Sequence, residues 1–260
     1  MLTWSRNRRR RRLLRGPFPK TWLECIHKNV GYYSLLTDAE QAKLREDLRI
    51  FVSEKYWEGC GGLVLTDEIR VTIAAQAALL LLGMKHDCFH NVRSILVYPT
   101  GYLAPEISVG PDGVVSEGYD DRDGEAWHHG SVVLGWDAVI VDGRDFRDGR
   151  NVVLHEFAHQ LDFINGVTEG TPFPGASEKN RRWQHVMDAE LRRLIRETER
   201  GMPTLLDPYG TADPAEFFAV ATECYFEKPL QMRRRHPLLY DVLCDFFGQD
   251  TAERFSGKRG

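Results

Sequence analysis

Two histidines four residues apart, with a glutamate directly after the first, stand in Val152-Val153-Leu154-His155-Glu156-Phe157-Ala158-His159. On a helix this spacing puts both imidazoles on one face about a turn apart, where one metal ion can take both. Zinc suits such a pair. It accepts neutral imidazole nitrogens in a tetrahedral shell, and a catalytic site keeps one position for a water whose pKa the metal lowers to about 7. Glu156, turned about 100° from His155 around the helix, can reach that water as a general base without being a ligand.

A third protein ligand is expected from a downstream helix. Asp213-Pro214-Ala215-Glu216 opens one, with Asp213 as N-cap and Pro214 at the first helical position. Glu216, at the third position, stands equally where a capping-box glutamate belongs. Glu223 is the rival ligand: it lies seven residues on, two turns deeper on nearly the same face, so either carboxylate can meet the metal while the other orients a histidine. Asp162 follows His159 by three residues, either to hold a histidine N–H or as a plain solvent-facing aspartate.

The pattern His155-Glu156-Phe157-Ala158-His159-x-Leu161-Asp162-x-x-Asn165-Gly166, followed by Tyr209-x-x-x-Asp213-Pro214-Ala215-Glu216, resembles the Mlc titration factor A family of bacterial zinc peptidases. The likeness takes in Pro17-Phe18-Pro19, Tyr32-Tyr33, Gly124-Glu125-Ala126-Trp127 and Val132-Val133-Leu134-x-Trp136, and so covers most of the chain. It implies a gluzincin-type catalytic domain like that of anthrax lethal factor, with a twisted sheet over an active-site helix and a helical N-terminal portion. It also implies His155, His159 and Glu216 as ligands of one Zn²⁺ per chain, Glu156 as general base and Tyr209 as an active-site tyrosine. By the same resemblance the activity is aminopeptidase-like cleavage of small substrates, and a partner is a glucose-responsive transcriptional repressor of sugar uptake. A phenol beside such a site can donate to the oxyanion of an attacked peptide carbonyl. Without the resemblance, Tyr209 reads as a loop residue between Pro208 and Gly210.

The elements that must position these groups are partly legible. Asp148-Gly149-Arg150-Asn151 offers caps before the His155 helix, Val152, Val153, Phe157, Leu161 and Ile164 recur at helical spacing, and Asn165-Gly166 supplies a stop. Upstream, Thr37-x-x-Glu40 is a capping box ahead of Leu44, Leu48 and Phe51, and Thr66 precedes a second helix through Ile69, Ile73 and Ala77. Short β-type runs follow at Ile95 to Tyr98, Ser131 to Trp136 and Ala138 to Val141, separated by the Gly- and Asp-rich stretch from Gly110 to Gly124. Ser131 to Trp136 is the candidate sheet edge for pairing with an extended substrate, with an ordinary core strand as the alternative. His128-His129 reads as exposed loop. A long amphipathic helix from Ser177, the Glu216 helix ended by Pro229, and a terminal helix through Phe246 complete an α+β, zincin-like pattern.

The expected organisation is a disordered basic arm (residues 1–16, carrying the unbroken run Arg8 to Arg12), a helical portion (17–90), a catalytic domain (91–250) and a flexible tail (251–260). The arm suits nucleic acid, anionic lipid or an acidic protein face, or is solvated and idle; direct nucleic-acid binding is not expected. With 260 residues, 42% apolar and 28% charged, the chain can bury a full core, and a net charge of −4 names no partner. Five scattered cysteines without a Cys-x-x-Cys pair read as reduced cytosolic thiols. The basic N-terminus lacks an apolar signal segment, and Val71 to Met84, interrupted by Thr72 and Gln76, is too short for a span, so a cytoplasmic protein without a membrane is expected. Two functions remain: a zinc peptidase acting on peptides or proteins, and a non-catalytic protein that sequesters a repressor around a structural or vestigial zinc site. Glu156 separates them, since a structural site needs no base.

Overall fold

Thr37 accepts from the Glu40 backbone N–H while the Glu40 carboxylate takes the Thr37 N–H, closing a capping box that starts a helix in the computed structural model of the protein. The structure describes residues 2–84, 89–109, 115–127, 130–165, 170 and 178–257. In chain order the elements are α1 (Leu2–Leu14), α2 (Lys20–Asn29), α3 (Asp38–Glu54), β1 (Tyr56–Gly59), α4 (Asp67–Leu79), β2 (Ser94–Tyr98), β3 (Tyr102–Val109), β4 (Val115–Arg122), β5 (Gly124–Trp127) and β6 (Ser131–Gly135). They continue as α5 (Trp136–Arg144), α6 (Val152–Asp162), α7 (Glu178–Glu199), α8 (Pro214–Glu227), α9 (Pro229–Arg235), α10 (Pro237–Phe247) and α11 (Thr251–Ser256).

The fold is α+β. A mixed sheet runs in the order β1-β2-β6-β5, with β1, β2 and β6 parallel and β5 antiparallel to β6, while β3 and β4 form a separate antiparallel pair. Ile95, Val97, Val132 and Leu134, register partners on one face of the sheet, are fully buried, and that face packs into the core. Helix α6 lies against β5 and β6 and packs along α8. Every residue of α6 except His155 is buried, and α8 is buried from Phe217 to Glu227, so both read as interior helices with little polar face. Phe157 of α6 meets Phe89 at 4.8 Å and Phe51 of α3 at 5.5 Å between ring centroids, which pins the histidine helix to the N-terminal half. No helix among the described residues is long and apolar enough to cross a membrane.

Several expectations need correction. The residues expected as a disordered arm form α1, docked on α3: Arg10 pairs with Glu54 at 2.5 Å, and Arg49 donates to the carbonyls of Leu13 and Gly16 at the end of α1. Arginine is a good helix former, and those contacts satisfy the helix end. The portion from 17 to 90 contributes β1 to the sheet and Phe51 to the shared core, so neither sheet nor core divides near residue 90. Ala138 to Val141 lies in α5, not a strand; a short apolar run does not distinguish the two, and here β6 ends at Gly135, the N-cap of α5. The Gly- and Asp-rich stretch contains strand β4. The tail expected to be flexible forms α11, with Asp250 as N-cap, Thr251 and Ala252 buried, and Arg254 Nε donating to Glu40 at 3.1 Å. Strand β6 is interior, so the exposed edge on that side is β5. His128-His129 lies outside the described residues.

Candidate active site

Asn151 starts α6: its extended backbone and its side-chain oxygen, accepting the Leu154 N–H at 3.0 Å, set the first turn. His155 and His159 follow on one face, their rings T-shaped at 4.9 Å. Asp213 caps α8 by accepting the N–H groups of Ala215 and Glu216 at 2.7 and 2.9 Å, with Pro214 at the first helical position. The Glu216 side chain does not close the capping box. It crosses to α6, where Oε2 lies 2.9 Å from His155 Nε2 and 3.5 Å from His159 Nε2, and the two Nε2 atoms are 3.3 Å apart.

Those three separations are a test of the donor set. Tetrahedral zinc with ligands at about 2.0–2.1 Å holds neighbouring donor atoms about 3.3 Å apart, and the observed 2.9, 3.3 and 3.5 Å bracket that value. Two imidazole nitrogens and one carboxylate oxygen are also the donor types zinc takes in catalytic sites. Among the described residues, His155, His159 and Glu216 are the group able to hold a metal ion together.

Glu156 is only 6% exposed, lines the same cleft of about 880 Å³, and takes no hydrogen bond from a described residue. Burial raises its carboxyl pKa to about 7, against the lowering effect of His155 and His159. For Glu216, burial works upward but the hydrogen bonds from both histidines prevail, holding it far below the usual carboxylate range. Burial likewise opposes charging of His155, yet the carboxylates of Glu223 and Glu216 hold its pKa well above the usual value. The site is thus built to balance a concentrated positive charge.

Tyr209 sits in a single 3-10 turn, Pro208–Thr211, with its ring 6.0 Å from that of His155 and 58% of its surface exposed at the cleft. Asp207 caps this turn through the Tyr209 N–H at 3.0 Å and pairs with Arg150 at 2.5 Å, tying the tyrosine to the entry of α6. Glu223, the rival ligand, lies behind His155: its Oε2 is 3.0 Å from Nδ1, and its Oε1 accepts the Asn151 N–H at 2.7 Å. Asp162 is not solvent-facing; it is fully buried and accepts from Gly170 N–H at 3.0 Å. Sequence reasoning did not identify Gly124, where an added Cβ would lie 2.6 Å from Glu156 Oε1 and 2.7 Å from Val152 Cγ2. It also passed over Glu227, although Glu216, Glu223 and Glu227 share one face of α8.

Comparison with known proteins gives the family. The profile of the glucose-regulated metallo-peptidase M90 family matches residues 4–248. An uncharacterized protein of Synechocystis is 37% identical over 241 residues, covering 92% of this chain and 87% of its own. Proteins called Mlc titration factor A from Yersinia enterocolitica and Serratia proteamaculans are 31% and 30% identical, covering 90% and 85% of this chain and 86% and 84% of their own.

Proposed function

Because the chain belongs to the glucose-regulated metallo-peptidase M90 family, we propose that it is a zinc-dependent peptidase whose ligands are His155, His159 and Glu216 and whose general base is Glu156. The observation that carries the reading is the convergence of three zinc-type donor atoms at 2.9–3.5 Å beside the buried carboxylate of Glu156.

Zinc bound there would polarise a peptide carbonyl and acidify a water. Glu156 takes the proton of the attacking water and passes it to the leaving amine, a role matched to a carboxyl with a pKa near 7. Tyr209, exposed at the cleft, donates its phenol hydrogen to the oxyanion. The edge strand β5 passes directly over Glu156 at Gly124 and ends the sheet, where an extended peptide can add alongside it. A helix carrying the histidines beneath an antiparallel edge strand, followed by a helix bearing the third ligand, supports a zincin-like catalytic domain of gluzincin type.

Aminopeptidase-like preference and binding of a transcriptional repressor are carried over as part of the proposal. Their support is similarity across most of the chain to relatives named for titrating Mlc. A cytoplasmic setting accords with four described cysteines that are all free. Glu156 favours this reading over the non-catalytic alternative, since a structural metal site has no use for a buried carboxylate beside its ligands. Zinc content and peptide hydrolysis measured together test the ligand set: His155→Ala, His159→Ala and Glu216→Ala should each lose most of the metal and the activity with it. Full zinc in Glu216→Ala would refute its assignment.

A further inference from the structure

Helix α8 presents three carboxylates to α6, and each meets a different group. Glu216 joins the two Nε2 atoms. Glu223, two turns on, spans from His155 Nδ1 (3.0 Å) to the backbone N–H of Asn151 (2.7 Å). Glu227, one turn further, accepts from Gly149 N–H at 3.0 Å and Asn151 Nδ2 at 3.2 Å. Asn151 is held on its other side by Gln76, at 2.9 Å. Glu223 is 7% exposed and forms no ion pair with a lysine or arginine among the described residues.

A buried carboxylate without a cation is costly. A divalent ion on the far side of the His155 ring offsets that cost, because the imidazole relays charge between its two nitrogens. Resting on the zinc reading above, we propose that Glu223 is a positioning residue: it takes the Nδ1–H of His155, leaves Nε2 as the nitrogen that faces the metal, and is itself fixed by the Asn151 N–H. The arrangement needs both carboxylate oxygens. An amide has one acceptor for two donors. If its oxygen stays with Asn151, its NH₂ turns to the ring and favours the tautomer whose proton occupies Nε2, the nitrogen the metal requires.

The test compares Glu223→Gln, Glu227→Gln and the wild type by three readouts: zinc affinity by chelator competition, the His155 tautomer from imidazole ¹⁵N shifts in metal-free protein at alkaline pH, where the ring is neutral, and melting temperature. Glu223→Gln should bind zinc about 10- to 100-fold more weakly, the usual effect of losing a histidine's outer partner, and should populate the Nε2–H tautomer. Glu227→Gln perturbs the same buried network without touching His155 and should keep zinc affinity within about 3-fold, with the tautomer unchanged. Equal weakening in both variants would reduce the effect to general loosening and overturn the role. So would a Glu223→Gln protein with wild-type affinity and tautomer. Complete loss of zinc in Glu223→Gln with retention in Glu216→Gln would make Glu223 the ligand and overturn both assignments. A wild-type protein that binds no zinc removes the metal reading itself, whereas normal zinc in Glu223→Gln removes only the positioning role.

Discussion

Gly124 on the edge strand β5 faces Glu156 on α6 so closely that a Cβ at position 124 would come within 2.6 Å of the carboxylate. The strand therefore approaches the Glu156 carboxylate to a distance only a hydrogen side chain permits. Nothing in the backbone conformation demands glycine here, since Gly124 is not among the residues with positive φ. The constraint is the neighbouring carboxylate and Val152.

Gly124→Ala should displace Glu156 while leaving the three ligands in place. Displacement of a catalytic group on the order of 1 Å costs up to about 10²-fold. The expected outcome is full zinc content with kcat reduced about 10- to 100-fold. Unchanged kcat would mean that Glu156 relaxes freely and that the close approach has no part in catalysis.

Tyr209→Phe removes the proposed oxyanion donor and none of the proposed ligands. Hydrolysis should fall about 10- to 10³-fold with zinc retained. Because the ring is 58% exposed on a short turn, stability should barely change. A variant with wild-type turnover would return Tyr209 to the role of a surface residue.

Zinc binding should weaken as pH falls. In the metal-free site His155 holds its proton well above the usual histidine range, and a ligating imidazole must give it up. The sign follows: below the raised pKa of His155, protons compete with zinc and affinity rises with pH; above it, the competition from this group ends. Isothermal titration in buffers of different ionisation enthalpy should detect proton release on zinc binding at neutral pH. Absence of release would show that His155 is already neutral.

The local signals carried most of the site. Capping chemistry at Thr37, Asn151 and Asp213 placed three helices, and the four-residue spacing of His155 and His159 needs nothing beyond one helix to become a metal pair. Between Glu216 and Glu223 the spacing alone decided nothing, because both face α6; only the way α6 packs along α8 sends one to Nε2 and the other to Nδ1. The edge strand was misplaced for a similar reason. Ser131 to Gly135 is a good strand by composition, but what makes it interior is its pairing on one side with β2, a segment distant in sequence. Val139 reads alike in a strand and in a buried helix. The arginine run looked disordered by charge, whereas Glu54 and the Arg49 side chain give it a docking site that only the folded chain supplies.

The most direct measurement is zinc content and peptide hydrolysis on Glu156→Gln beside the wild type. The substitution removes the base, keeps the shape and touches no ligand. The expected result is near-normal zinc, at about one ion per chain, with hydrolysis reduced at least about 10²-fold. A Glu156→Gln protein that keeps its zinc and hydrolyses peptides at the wild-type rate would contradict the central claim that this metal site is a peptidase centre run by Glu156.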